Sequence, residues 1–67
     1  MWLNINGEKV EVPETIHTVA DVLKHFELEQ RIVIIELDQH IIDKSHYENT
    51  EVQQGSRMEI VHFVGGG

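Results

Sequence analysis

The residues with the widest chemical scope in this chain have no side chain. The sequence closes on Gly65-Gly66-Gly67. A glycine carboxylate is the least hindered acyl group a protein owns, and the glycines before it form a thin thread with great conformational freedom. Such a thread can enter a narrow active site that a side chain would block. A carboxylate is a poor acyl donor, so a partner has to activate it first, for instance as an acyl-adenylate. The activated carbonyl is then open to attack by sulfur or by an amine. Read without that chemistry, the three glycines are a frayed end, since chain termini commonly lack order.

The other reactive residues offer less. The five histidines raise the question of a metal site. His17 and His25 stand eight residues apart, and no pair has the spacing of a metal motif such as H-E-x-x-H. We therefore expect no metal. Ser45, His46 and Tyr47 are consecutive, and neighbours in sequence rarely present a nucleophile to its base. A hydrolytic triad also needs an oxyanion hole. There is no cysteine, which excludes disulfide scaffolds, thiolate zinc sites and a cysteine nucleophile.

The elements that position these residues must fit in 67 residues. A chain this short buries roughly 60% of the surface it exposes when unfolded. That allows one sheet and one or two helices, but no cleft walled by two domains. Five Lys and Arg face twelve Asp and Glu, for a net charge of -7. Nucleic-acid phosphates and anionic lipids are poor partners for such a chain, and a basic protein groove is a better one. The unbroken apolar run Ile32 to Ile35 falls far short of the about 20 residues that span a bilayer. The start, Met1-Trp2-Leu3-Asn4, lacks the basic and apolar regions of a secretion signal. A cytoplasmic location is the expectation.

Period-two alternation over residues 2 to 6, with Leu3 and Ile5 apolar, predicts a half-buried strand. Asn6-Gly7 then predicts a type I′ hairpin. The return strand carries Val10 and Val12, and Pro13 closes it. Thr18 is placed to cap a helix, with Asp21 three residues on as a weaker capping box. Val19, Val22, Leu23 and Phe26 form one apolar stripe, and the helix is expected to end near Glu27. Arg31 to Leu37 reads as a strand, and its apolar run Ile32 to Ile35 is of the kind usually covered on both faces. Asp38-Gln39 reads as a turn and Ile41-Ile42 as a short strand. Residues 43 to 57 read as mostly irregular, anchored by Tyr47 and Val52, with a turn at Gln54-Gly55. Met58 to Val64 is the last strand.

The order of hairpin, helix, strand, short strand and strand predicts an α+β fold. A mixed sheet of four to five strands packs on one helix, with the first and last strands parallel at its centre. This is the β-grasp arrangement. A ferredoxin-like fold would need a second helix, and residues 43 to 53 show no helical stripe. With Met58 and Ile60 facing the core, Val61 and Phe63 face away. Together with part of the Ile32 to Ile35 run they form an exposed apolar patch beside the tail, a candidate partner surface. Glu36 and Glu59 are placed to pair with Arg or Lys on that partner. The opposite register would turn His62 and Val64 outward. Parity places Trp2 outward on the first strand.

A compact β-grasp body with a Gly-Gly tail is the ubiquitin-like plan, and the whole chain resembles the ThiS family of sulfur-carrier proteins of thiamin biosynthesis. The resemblance rests on the hairpin at Asn6-Gly7, the helix start Thr18-Val19-Ala20-Asp21-Val22-Leu23, the strand Ile32-Val33-Ile34-Ile35-Glu36 and Ile41-Ile42. Its strongest part is Met58-Glu59-Ile60-Val61-His62-Phe63-Val64-Gly65-Gly66-Gly67. The turn before the last strand departs from the family, with Gly55-Ser56 where Gly-Asp is common. Ser also suits a turn.

The resemblance implies a body over residues 1–64 and a flexible tail over 65–67. It implies a protein co-substrate and not an enzyme. An E1-like adenylyltransferase would use ATP to adenylate Gly67, and sulfur from a cysteine desulfurase pathway would convert it to a thiocarboxylate. Thiazole synthase would then take the sulfur. The carrier itself would bind no cofactor. The alternatives are the small subunit of molybdopterin synthase, a ubiquitin-like modifier that forms an isopeptide bond, and an interaction module with an inert tail. Replacing Phe63 by Asp is expected to weaken binding to thiazole synthase with little change in melting temperature. A large fall in melting temperature would instead make Phe63 a core residue.

Overall fold

A computed structural model of the chain describes residues 1–62. Among them are five strands: β1 (Trp2–Ile5), β2 (Glu8–Glu11), β3 (Val33–Leu37), β4 (His40–Ile42) and β5 (Arg57–His62). One α-helix, α1 (Val19–His25), lies between β2 and β3, and a single 3-10 turn (Lys44–His46) precedes β5. The strand order is β2-β1-β5-β3-β4. β1 and β5 pair in parallel, with Asn4 opposite Arg57 and Ile5 opposite Met58. The other neighbours are antiparallel. This is the expected β-grasp sheet.

The turns follow from residue type. Asn6 and Gly7 have φ of 53° and 85°, the two positive values that a type I′ hairpin needs. Asp38 and Gln39, at 46° and 73°, make the equally tight β3–β4 turn without a glycine. Gly55, at φ 84°, brings the chain under the Trp2 ring, where an added Cβ would stand 3.6 Å from its nearest atom. Ser56 beside it is buried, and its Oγ accepts from the Gln53 backbone N–H at 2.9 Å. The departure from Gly-Asp thus keeps a local cap.

The helix is closed at both ends by specific hydrogen bonds. Thr18 Oγ1 accepts from the Asp21 N–H at 3.2 Å, while Asp21 Oδ2 accepts from the N–H groups of His17 and Thr18 at 2.9 and 3.1 Å. The capping box expected at this position is complete. At the far end the Leu28 N–H donates to the Leu23 carbonyl and the Glu27 N–H to the Lys24 carbonyl. That pair of bonds is a Schellman motif. Its left-handed position, usually glycine, holds Glu27 at φ 58°.

The core lies between α1 and one face of the sheet. Leu3, Ile35 and Met58 rise from the three central strands to meet Val19, Val22 and Leu23. Val12, Ile16, Leu37 and Val52 close its edges. Fully burying one such side chain is worth about 1.5–3 kcal/mol. Two expectations fail here. Phe26 is not part of the core: it is the C-cap residue and is 37% exposed, because the helix stops before a further turn could carry it over the sheet. The Ile32 to Ile35 run is covered on one face only. Ile35 is fully buried, but Ile34 stands exposed on the face opposite α1, and Ile32, which precedes the strand, is exposed too.

The capping box sets a pH dependence. The backbone N–H groups of His17 and then Thr18, which donate to the Asp21 carboxylate, hold its pKa below the usual value. The folded state therefore binds that proton less readily than the unfolded chain. The stabilisation is complete above the unfolded carboxyl's pKa and is lost as pH falls through the depressed one. Asp21→Asn should melt at a lower temperature than the parent at neutral pH. In melts repeated at falling pH, the difference should close across the carboxyl range. A difference that persists in acid would place the contribution outside the carboxylate's charge.

Candidate functional site

Strand register divides the side chains of β5 between two faces. Met58 is buried and Ile60 half-buried toward α1, while Arg57, Glu59 and Val61 point to the open face. Val61 is 53% exposed, which is the outward register expected for it. Its partner on β3 is Ile34, and the next pair along the same face is Glu59 with Glu36. Glu36 in turn faces Ile41 on the edge strand β4.

The open face thus carries the apolar side chains Ile34, Ile41 and Val61 around an acidic pair, Glu36 and Glu59. Ile41 is nearly three-quarters exposed. Large apolar side chains gathered on one exposed face make it a candidate partner surface. The patch lies at the end of β5 that leads into residue 63. The opposite end of the face is polar: Lys9 Nζ sits 4.9 Å from the Trp2 ring centroid, a cation–π contact. Trp2 is outward, as parity requires, but half-buried under Lys9 and over Gly55.

Three of the expected partner residues, Val61, Glu59 and Glu36, are therefore brought onto one surface. Phe63, Gly65, Gly66 and Gly67 lie outside the described residues, as does the expected continuation of β5 to Val64. Ile41 belongs to the surface without having been expected there. The signal was present: a two-residue turn at Asp38-Gln39 pairs Leu37 with His40 and so Glu36 with Ile41.

The remaining reactive residues do not assemble. Ser45 donates its hydroxyl to Asp43, which caps the 3-10 turn, and His46 is exposed beside it. These hydrogen bonds, the first from the Ser45 side chain, hold the Asp43 carboxyl below its usual pKa. Among the described residues no three metal-ligating side chains converge. A groove of about 540 Å³ runs between the end of α1 and the 3-10 turn, lined by Leu23, Leu28, Ile32, Val33, Lys44 and Tyr47. It holds no paired nucleophile and base.

A single helix gripped by a mixed five-stranded sheet with parallel central strands is a ubiquitin-like β-grasp domain. Within that class, the chain belongs to the ThiS family, whose model matches residues 3–67. It is 42% identical over 65 residues to the sulfur carrier protein ThiS of Bacillus subtilis, covering 97% of this chain and 98% of that one. It is also similar to a thiazole synthase of Paramagnetospirillum magneticum, 37% identical over all 67 residues but across only 20% of that longer protein. The crystal structure of the thiamine biosynthesis protein ThiS from Geobacter metallireducens superposes with a TM-score of 0.83, at 28% identity and full coverage of both chains.

The acidic pair has an energetic consequence. Glu36 and Glu59 are direct cross-strand neighbours on two inner strands, and among the described residues neither has an ion-pair partner. Like charges so placed are destabilising. Glu59→Lys should raise stability by about 0.2–1 kcal/mol, the scale of cross-strand pair effects. Urea unfolding at low and high salt would check this, with the gain shrinking as salt screens the parent's repulsion. A variant no more stable than the parent would mean the two carboxylates do not repel.

Proposed function

We propose that this chain is a sulfur carrier of thiamin biosynthesis, a protein co-substrate passed between enzymes and not a catalyst. The observation that carries this reading is its similarity to a sulfur carrier over nearly the whole of both chains. Residues 1–64 serve as the body that partners recognise and residues 65–67 as the thread that enters their active sites. The reacting group is the Gly67 carboxylate.

The chemistry runs in three steps. A carboxylate oxygen of Gly67 attacks the α-phosphorus of ATP held by an E1-like adenylyltransferase, forming the acyl-adenylate and releasing pyrophosphate. The terminal sulfur of a cysteine persulfide, supplied by a desulfurase pathway, attacks the acyl carbon and AMP departs. A second thiol cleaves the resulting sulfur–sulfur bond, is itself oxidised to a disulfide, and leaves a thiocarboxylate on Gly67. Thiazole synthase then takes the sulfur. The similarity of the whole chain to one-fifth of a thiazole synthase supports a working partnership with that enzyme class. ATP binds the partner, and the carrier needs no cofactor of its own. The dependence on ATP suits action in the cytoplasm.

The open face serves as the docking surface. Val61 and Phe63 supply apolar contact, and Glu36 and Glu59 offer charge to basic groups on the enzymes, which favours fast and selective encounter. A cationic partner would also relieve the repulsion between the two carboxylates.

Incubation with the adenylyltransferase, ATP and a cysteine-fed desulfurase should shift the intact mass by one oxygen replaced by sulfur, mapped to Gly67. Deleting Gly67 should abolish that shift and leave the melting temperature unchanged. An unchanged parent mass, with the enzymes active on another carrier, would overturn the reading. An isopeptide conjugate to lysine would point to a modifier.

A further inference from the structure

Asn6 makes two hydrogen bonds that its hairpin turn does not need. Its Oδ1 accepts from the Ile60 backbone N–H at 2.7 Å, and its Nδ2 donates to the Ile60 carbonyl at 3.2 Å. Donor and acceptor belong to one residue 54 positions away. The carboxamide meets Ile60 as another strand's peptide groups would.

The parallel ladder explains why a substitute is needed there. The Asn4 N–H donates to the Ser56 carbonyl and the Asn6 N–H to the Met58 carbonyl, each at 2.9 Å. The next rung would use the Ile60 N–H and carbonyl. At that point the backbone of β1 has already turned into the hairpin, with Asn6 at φ 53°. The side chain supplies the missing rung. On its other flank β5 is paired with β3 as far as His62, but on the β1 flank the backbone pairing stops at Met58.

We propose that Asn6 is a positioning residue: its carboxamide extends the β1–β5 ladder to Ile60 and sets the direction in which β5 leaves the domain toward Gly67. The inference rests on the sulfur-carrier reading, in which Gly67 must reach a partner's active site while the open face is docked. Ile60 is the last residue of β5 tied to the β1 side among the described residues, and Val61 of the docking patch follows it directly. β3 holds this part of β5 from one flank, and the Asn6 side chain holds it from the other. A hairpin alone would accept Asp or Gly at position 6 equally well, but neither reproduces both bonds.

The test uses the full chain with its adenylyltransferase and ATP, and follows pyrophosphate release. Asn6→Gly removes both bonds and leaves a Gly-Gly turn. Asn6→Asp, a second variant should the first unfold, keeps the turn and loses the donor. Ile16→Val serves as a control that loses stability at the edge of the core, on a residue outside the strands that pair with β5. Two bonds of this kind correspond to a fall in kcat of about tenfold, with KM little changed because the docking face is intact. Amide exchange at Ile60 should quicken in Asn6→Gly while that at Val10 in the hairpin stays slow. Ile16→Val should keep the parent rate.

Parent-like rates in both Asn6 variants would overturn the positioning role, as would a fall of the same size in Ile16→Val. Unchanged exchange at Ile60 would show that the contact does not hold β5. If the parent itself releases no pyrophosphate, the sulfur-carrier reading fails, and exchange at Ile60 still decides whether Asn6 holds β5.

Discussion

A helix of seven residues can cover one face of a five-stranded sheet but not two, and the rest of the molecule follows from that limit. The covered face collects every fully buried large side chain of the sheet: Leu3, Ile35 and Met58. The other face meets solvent along all five strands. Because side chains alternate along a strand, each buried core residue on β3 and β5 has outward neighbours. The burial of Ile35 and Met58 therefore also dictates the exposure of Ile34, Glu36, Glu59 and Val61. The proposed docking surface and the core are two consequences of one register.

The β1–β5 pairing carries this register across the chain. It joins residues 2–5 to residues 57–62, so the sheet's centre closes only when the two ends of the domain meet. Contacts this distant in sequence pay their loop-closure entropy before they are rewarded. The pairing is short on the backbone, and the Asn6 side chain lengthens it by one rung. Asp38 makes a related contact on the other side of β5: its N–H donates to the Arg57 carbonyl at 2.8 Å and its Oδ1 accepts from the Arg57 N–H at 3.0 Å. β5 is thus gripped by turn residues of both hairpins, one near its start and one near its exit.

Much of this was legible in the residues. Asn6-Gly7 and the apolar alternation on either side required a hairpin. Thr18 and Asp21 announced the helix start. Met58 and Ile60 set the parity that turned Val61 outward, and Glu36 and Glu59 were placed beside it. What escaped was non-local. Phe26 continues the helical stripe perfectly well; it leaves the core only because Glu27 adopts a left-handed conformation without the glycine that would have signalled it. The Ile32 to Ile35 run has the composition of a strand covered on both faces, and nothing within it says that, among the described residues, no second α-helix covers the other face. The bonds from Asn6 to Ile60 could not be read from the turn, because a turn preference states what the backbone needs and is silent about the freed side chain.

The exposed isoleucines and the uncompensated glutamates run against what stability alone would select. Ile34, Ile41 and Val61 leave apolar surface in water, and Glu36 faces Glu59 across the ladder. Each is a local inconsistency, and such departures concentrate where a protein meets something else. Both kinds fall on the same face, and both would be relieved by one event, the arrival of an apolar surface bearing positive charge. Among the described residues the groove beside α1 holds no paired nucleophile and base. The proposed recognition is written on a sheet face, and the proposed chemistry is carried to a partner's catalytic groups. Separating the two functions in this way makes their relative placement the critical variable. In this fold that placement is governed by the few hydrogen bonds that hold β5 where it leaves the sheet.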